Sequence, residues 1–256
     1  MKRNIVLIAS IVLVVTCVVS MSCRPVQALG DVHILSHSSF YDSLDNLYVV
    51  GEVENTGDAA TQFTKVTVTY YDSANQVITT SLGYSTIDIL LPGRKSPFAV
   101  LLLESDDSLN VHNYTLSVSW SNYEEDKPVG LEILSSSESI DFLDFMHVTG
   151  EIKNIGDSEA NSVMVCATFY DSTGTVVGRN WEYAEPTDLA PNETGSFDVE
   201  LIYSQQIEKV ASYSLSAESE NYAVIPEFPT WTTMIAALAI VALATVIYKK
   251  KLAADN

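Results

Sequence analysis

The sequence predicts an all-β protein: two tandem antiparallel sandwiches between an N-terminal signal helix and a C-terminal transmembrane helix. Three observations predict it. The stretch from Leu35 to Tyr123 returns as Leu134 to Tyr222 at an offset of 99 residues without an insertion, and about a third of the paired positions are identical. A period that long is a whole domain rather than one turn of a solenoid. Within each copy, apolar residues alternate with period two and are punctuated by Gly, Asn, Asp and Pro. Beyond the copies lie two apolar runs, Ile5 to Val19 and Trp231 to Tyr248.

Residues 1–28 carry the grammar of a signal peptide. Met1-Lys2-Arg3 is basic, Ile5 to Val19 is apolar, and Val26-Gln27-Ala28 puts small residues at −3 and −1 of a cut after Ala28. An uncleaved membrane anchor is the alternative. The first sandwich is expected over 29–123, opening with a strand near His33 to Ser36. Leu47, Val49, Gly51 and Val53 then share one face of a strand, with Tyr48, Val50, Glu52 and Glu54 on the other. Asn55-Thr56-Gly57-Asp58 ends that strand with residues that accept positive φ. Val66, Val68 and Tyr70 face inward on the next strand. Asp72-Ser73-Ala74-Asn75-Gln76 makes a hairpin turn with Asn75 at a left-handed position. Pro92-Gly93 turns the chain again, and Phe98, Val100 and Leu102, then Tyr114, Leu116 and Val118, complete the set.

Residues 124–130 read as an acidic linker that sets two domains end to end. The second sandwich, 131–225, repeats the first. Gly150-Glu151-Ile152-Lys153-Asn154-Ile155-Gly156-Asp157 answers Gly51 to Asp58, and Gly174 answers Asn75. Six or seven short strands per copy, with no convincing helix, indicate sandwiches of immunoglobulin or fibronectin type, without the Cys–Trp–Cys pattern of antibody domains. Ala167-Thr168-Phe169-Tyr170-Asp171, followed by Val176-Val177-Gly178 and Leu189-Ala190-Pro191, resembles the FxLYD domain family. Thr69-Tyr70-Tyr71-Asp72 with Val77 and Pro92 is a looser copy. The resemblance implies a small β-sandwich module of exported prokaryotic proteins without known catalysis.

The C-terminus carries a different signal. Eighteen apolar or small residues at 231–248 can cross a bilayer as a helix, with Trp231 and Tyr248 at its two interfaces. Lys249, Lys250 and Lys251 begin a basic tail, 249–256, expected in the cytoplasm, which places the repeats outside. Pro226-Glu227-Phe228-Pro229 within 226–230, followed by that helix and cluster, resembles the PEF-type sorting signal of archaeal surface proteins. The resemblance implies an archaeosortase-type processing enzyme as a partner, removal of the helix and attachment of the new end to a lipid. Without that processing the helix is a permanent anchor.

Between Leu29 and Glu227 there are 32 acidic residues against seven Lys and Arg, a formal balance of −25. Nucleic acid is excluded as a partner, because phosphate binding needs clustered cations. Cys17 and Cys23 precede the expected cut, so Cys166 is left alone and is expected to be a partly exposed, unreactive thiol. Asn113 and Asn192 head glycosylation sequons, Asn113-Tyr114-Thr115 and Asn192-Glu193-Thr194. No catalytic constellation, phosphate loop or Cys-x-x-Cys pair is present, and no cofactor is expected. His33 and His37 lie on a strand and its exit, a spacing poorly suited to metal.

The sharpest metal candidate is a calcium site at the joint, from Glu124, Glu125 and Asp126, with Asp106 and Asp107 in a nearby loop. A solvated acidic linker is the plainer reading. Tyr41, Tyr84, Trp120, Trp181 and Tyr183 are candidates for a carbohydrate face, although the equivalence of Tyr84 and Tyr183 points to packing under a loop. The expected function is therefore a non-catalytic structural or adhesive protein of the cell surface. It is membrane-anchored with extracellular domains and meets an unknown protein or glycan partner. The alternative is a cation- or solute-binding accessory module of an envelope transporter or enzyme.

Overall fold

The computed structural model describes residues 29–103 and 105–225. The signal segment with Ala28, the Pro226–Pro229 motif, the predicted span 231–248 and the basic tail all lie outside the described residues. Strands dominate what is described. The first copy comprises β1 (Val32–Tyr41), β2 (Leu47–Asn55), β3 (Thr61–Tyr71), β4 (Val77–Tyr84), β5 (Lys95–Leu102), a single helical turn α1 (Ser105–Ser108) and β6 (Asn113–Asn122). The second comprises β7 (Val129–Ile140), β8 (Met146–Asn154), β9 (Met164–Tyr170), β10 (Val176–Tyr183), β11 (Thr194–Leu201), the turn α2 (Ser204–Ile207), β12 (Ser212–Glu218) and β13 (Ala223–Val224). No helix among them is long and apolar enough to cross a membrane.

The repeat holds down to backbone detail. β2 and β8, β4 and β10, β5 and β11, and α1 and α2 coincide residue for residue at the offset of 99. The register shift between Ile34 and Ser36 in β1 recurs between Ile133 and Ser135 in β7. The described residues with left-handed backbone fall into matching pairs: Asp45 with Asp144, Phe63 with Ser162, Asn75 with Gly174, and Gly93 with Asn192. Asn75 and Gly174 thus sit where the hairpin reading put them.

In the first copy β1-β2-β5 form one antiparallel sheet and β4-β3-β6 another. Val49, Val53, Phe98 and Val100 from the first meet Val66, Val68 and Tyr70 from the second in one fully buried cluster. The second copy repeats this with Val148, Ile152, Phe197 and Val199 against Val165, Ala167 and Phe169. There β13 pairs with both β12 and β7, so its strands run on as a single seven-stranded sheet, β10-β9-β12-β13-β7-β8-β11. Gly51 and Gly150 admit the core rings. A Cβ would stand 2.5 Å from Phe98 Cζ in one copy and 2.5 Å from Phe197 Cζ in the other.

The Asn-x-Gly-Asp motifs act differently from expectation, because neither Gly57 nor Gly156 has positive φ. The asparagines are fully buried and their side chains clip two loops together. Asn55 Nδ2 donates to the Ala59 and Leu90 carbonyls, both at 2.8 Å, while Oδ1 accepts from the Gly57 amide at 3.0 Å. Asn154 repeats this with Ser158, Leu189 and Gly156. The glycine is needed for close approach, since a Cβ on Gly156 would strike the Tyr222 ring at 2.3 Å. At the opposite end of the strands, aspartates head the turns. Asp72 Oδ1 accepts the Ala74 and Gln76 amides, and Asp171 Oδ1 accepts those of Thr173 and Thr175. Asp42 and Asp141 do the same for β1–β2 and β7–β8. The Tyr-Asp pairs of the sequence therefore mark the last strand residue and the acceptor that folds the turn.

The two copies do not stand end to end. The outer face of β1-β2-β5 lies against the outer face of β10-β9-β12, and the copies run side by side. Each copy has a core cluster built mainly of its own residues, though Cys166 and Met164 of the second pack into that of the first, and a third cluster of Phe40, Val50 and Val176 joins them, with Tyr48, Ala99, Tyr170 and Tyr203 around it. The linker follows from this arrangement. Glu124, Glu125 and Asp126 are exposed, but Lys127 is 9% exposed, and its Nζ donates to the Ser219 carbonyl at 2.5 Å and to that of Glu220 at 3.1 Å.

Candidate functional site

The surface that alternation assigns to solvent on β2 is covered by the second copy. Val50 and Glu52 point away from the first core, yet they are 2% and 3% exposed. The Tyr170 hydroxyl donates to Glu52 Oε1 at 2.6 Å, and Lys95 Nζ stands 3.7 Å from the other oxygen. Burial raises the Glu52 carboxyl above the usual range, with the tyrosine and lysine opposing it. Burial also raises the Tyr170 hydroxyl, and the neighbouring Glu52 charge adds to that.

Backbone edges are satisfied across the joint as well. Ser38 Oγ donates to the Val176 carbonyl at 2.7 Å, and the Val176 amide donates to Ser36 Oγ at 3.1 Å. At one end Gln205 Nε2 donates to the Tyr41 carbonyl. Near the other, Glu218 accepts the Asp88 and Ile89 amides at 2.9 and 3.1 Å and lies 3.8 Å from Lys127 Nζ. Arg94 donates to the Val224 carbonyl. Glu218 is itself buried, which raises its carboxyl.

These contacts leave a pocket of about 350 Å³ between the copies. Phe40 and Tyr48 stack at 5.0 Å with an interplanar angle of 7°, and Tyr203 tilts against both at 5.2 and 5.7 Å. Trp181, Arg179, Asn180, Glu200 and Gln206 complete the wall. The Tyr203 hydroxyl donates to that of Tyr48 at 3.3 Å. Burial, followed by that hydrogen bond, pushes the Tyr48 hydroxyl up to about 12. Arg179 has its pKa lowered by burial, with Tyr48 and Cys166 as its electrostatic neighbours.

Cys166 is not the partly exposed thiol expected. It is 1% exposed, and burial pushes it up to about 12, far from the thiolate that nucleophilic or redox chemistry requires. It faces away from its own core, but the other copy covers it.

The remaining predicted positions are scattered. Asn113 and Asn192 are both exposed; Asn113 Nδ2 donates to Asn75 Oδ1 at 3.1 Å, and Asn192, with φ of 68°, is the third residue of the turn that the Glu193 amide closes on the Ala190 carbonyl. Among the described residues no group of three or more His, Cys, Asp or Glu is placed to hold a metal ion, so Glu124, Glu125 and Asp126 are not gathered into a calcium site. His33 pairs with Asp31 at 3.0 Å and His37 with the Tyr114 hydroxyl at 3.0 Å, apart from each other. Asp107 belongs to α1 rather than to an open loop.

Tyr84 and Tyr183 are exposed, not packed under a loop, and Tyr183 sets its ring edge-to-face on Trp181 at 5.4 Å and 82°. The pocket was not foreseen because it belongs to neither copy alone. The sequence signal for it is the loss of repetition: Phe40, Tyr48, Val50 and Ala99 match Ser139, His147, Thr149 and Asp198, while Arg179 and Trp181 match Thr80 and Leu82.

No protein-family model matches the chain, and no curated protein matches it. Solved structures give slight likenesses. A red sea bream transglutaminase is similar at 9% identity over 78% of this chain, with a TM-score of 0.25. The Amycolatopsis orientalis exo-chitosanase CsxA is similar at 13% identity over 73% of this chain, with a TM-score of 0.26. The chain spans 30% and 26% of those two proteins, and at these scores the likeness assigns neither a fold nor an activity.

Proposed function

We propose that the chain is a non-catalytic surface protein, exported and tethered to the outer face of a membrane. In this reading its copies are two tandem immunoglobulin- or fibronectin-like sandwiches of the FxLYD type, displayed as one body. The observation that supports it best is where the described chain begins and ends. The Leu29 carbonyl accepts the Asp58 amide at 3.1 Å, beside Asn55, whose own amide donates to the Arg94 carbonyl at 3.0 Å. The Arg94 side chain in turn holds Val224. Both ends therefore leave from one end of the molecule, and the aspartate-headed turns lie at the other. Tethering through residues 226–248, whether by a retained helix or by archaeosortase processing to a lipid, would hold those turns outward. Their tips carry Leu44 and Phe142, 73% and 91% exposed, as contacts for a protein or glycan partner. The accessory-module reading is favoured by the pocket between the copies, which has the dimensions of a small-molecule site.

Protease shaving of intact native cells, followed by intact-mass measurement of the purified full chain, tests the tether. Digestion from outside, a mass lacking residues 1–28 and glycan on Asn113 or Asn192 are expected. A chain protected in intact cells and recovered from the cytosol would sink the proposal.

A further inference from the structure

The outer face of β4-β3-β6 is the counterpart, through the repeat, of the face of β10-β9-β12 that lies on the first copy. β3 turns Lys65, Thr67, Thr69 and Tyr71 outward, opposite to the buried Val66, Val68 and Tyr70. In the second copy the matching positions are covered: Met164 and Cys166 pack into the first copy's core cluster, and the Tyr170 hydroxyl donates to Glu52. Two residues of that contact recur unchanged on the first copy, Tyr71 for Tyr170 and Val77 for Val176. There no other part of the described residues covers them. Val77, Leu82 and Tyr84 are all exposed on β4, and Phe63, 68% exposed, stands beside Tyr84 and Lys65 from a left-handed position with φ of 52°. Charge singles out the same face. Between Leu29 and Glu227 there are 32 acidic residues, yet none lies on β3, β4 or β6, where Lys65 is the one charged residue. By contrast β1-β2-β5 carries Glu52 and Glu54, β10-β9-β12 carries Glu182 and Glu218, and β7-β8-β11 carries Glu151, Asp198 and Glu200.

We infer that this face takes the same face of a second copy of the chain, in an isologous dimer. A second molecule brings the same formal balance of −25 and is repelled wherever carboxylates meet carboxylates. At β4-β3-β6 neither molecule turns a carboxylate toward the other, and Phe63, Val77, Leu82 and Tyr84 of each lose their exposure to water. The sheet face is one that this fold already uses to hold a neighbour, since its counterpart makes the joint between the copies. The polar face of β7-β8-β11 is left outermost on both sides, so the assembly closes at two chains. Three strands about 4.8 Å apart and about eight residues long offer roughly 400 Å² per partner, less than a standard interface, so the association is weak and reversible. The inference does not depend on the tether, because it concerns a face of the described sandwiches.

Sedimentation equilibrium of the full-length chain in detergent tests it, at concentrations up to about 300 µM. A monomer–dimer equilibrium is expected, with a dissociation constant on the order of 100 µM. It should tighten several-fold between about 0.05 and 0.5 M salt, because screening weakens the repulsion between two acidic bodies and no ion pair holds the contact. Leu82→Asp and Val77→Asp each set carboxylates into the contact and should leave the chain monomeric over the same range. Both positions are exposed, so each variant keeps the fold, and either one suffices if the other does not. Thr149→Asp, on the open face of β7-β8-β11, should dimerise like the parent. A parent chain that stays monomeric at about 300 µM in high salt would overturn the inference. So would a dimer indifferent to both β4 variants, which would be held by some other segment, or a dimer lost equally in Thr149→Asp. Oligomers that grow beyond two chains with concentration would also overturn it, since unlike faces would then be meeting.

Discussion

The same strand face occurs twice in this molecule, once covered and once open, and its two versions show what a partner demands of a sheet. On β1-β2-β5 the outward positions are Phe40, Tyr48, Val50 and Ala99, and the other copy lies on them. On β7-β8-β11 the matching positions are Ser139, His147, Thr149 and Asp198, and no other part of the described residues covers them: Ser139 and Asp198 are exposed, His147 and Thr149 half-buried. The backbones agree to the register shift, so the difference belongs to the side chains. Several positions of the joint did not change at all, Ser36, Ser38, Glu52, Tyr170 and Val176 among them. Glu52 is buried and Glu151 is exposed, while Val176 is fully buried and its equivalent Val77 is 59% exposed. Most identity between copies records what each sandwich needs to close, and the apolar-to-polar divergence at Phe40, Tyr48, Val50 and Ala99 marks the face that has met the other copy. The joint is heterologous, since unlike faces meet, and such a contact would propagate if both remaining faces were adhesive. Here the outer face of β7-β8-β11 is largely polar, as an end of a finite array must be, while that of β4-β3-β6 mixes threonines and serines with exposed Val77, Leu82 and Tyr84.

The largest effect that would break this comparison is a charge on the covered face. Val50→Asp places a carboxylate among Phe40, Tyr48 and Val176, and should lower unfolding free energy on the order of 3 kcal/mol or more. Thr149→Asp puts the same group at the same backbone position on the open face, directly across the ladder from Asp198, whose like charge adds to the cost, and a loss of about 1 kcal/mol or less is expected. Denaturant titration of both variants decides it, and equal losses would mean the joint contributes nothing to stability.

Next in size are substitutions that ought not to distinguish the copies. Asn55→Ala and Asn154→Ala each strip two donors from loop carbonyls and one acceptor from a glycine amide, and Asn55→Ala also strips the acceptor of the Asp31 amide at 3.2 Å, so each should cost roughly 2–3 kcal/mol, Asn55→Ala slightly more. Similar losses from the two would sharpen the distinction between repeated and divergent positions. A much smaller loss at one would show that its loops are held by something else.

These asparagines also show how far the sequence can be read. Their repetition was visible, and so was the turn they govern, but the mechanism was not. Asn, Gly and Asp suggest left-handed backbone on statistical grounds, whereas a fully buried side chain with four hydrogen bonds at Asn55 and three at Asn154 is a tertiary fact. The strand faces were legible for the same reason that the joint was not. Period two reports which residues face a strand's own core, and says nothing of what approaches from behind. Tyr48, Val50 and Glu52 thus read as a solvent face, and Cys166 as a partly exposed thiol. Lys127 is the clearest loss: within Glu124-Glu125-Asp126-Lys127 it reads as a solvated cation, yet it is buried against two carbonyls. The pocket could be suspected only by asking where the repeat fails.

Glu218 provides a third and smaller test, because its counterpart Ser119 has no equivalent role. Glu218→Gln keeps the shape but sets an amide N–H against one of the two backbone donors, at a cost of about 1–2 kcal/mol. Its carboxyl is raised by burial, so its contribution favours the folded state most below the ordinary glutamate range and declines as pH rises through the raised value. The variant should remove that decline in a series of melts. A slope unchanged by the substitution would show that Glu218 titrates alike in both states.

The smallest effect concerns the open face, where His147 stands in place of Tyr48. Its Nδ1 is 2.9 Å from Asp198, and its Nε2 is 3.7 Å from Asp141 and 3.9 Å from Glu200. The hydrogen bond to Asp198 is the main cause of its raised pKa, with the charges of Asp198, Glu200 and Asp141 adding to it against some desolvation. A histidine with a raised folded pKa stabilises fully below its unfolded value of 6.5 and loses that contribution as pH rises through the folded value. Melting temperature should therefore fall across this window in the parent and less steeply in His147→Gln. The difference should shrink in high salt, since these carboxylates are reached by solvent. If the two profiles are parallel from pH 5 to pH 9, the imidazole is not held by those carboxylates, and the polarity of the open face rests on its serines and threonines.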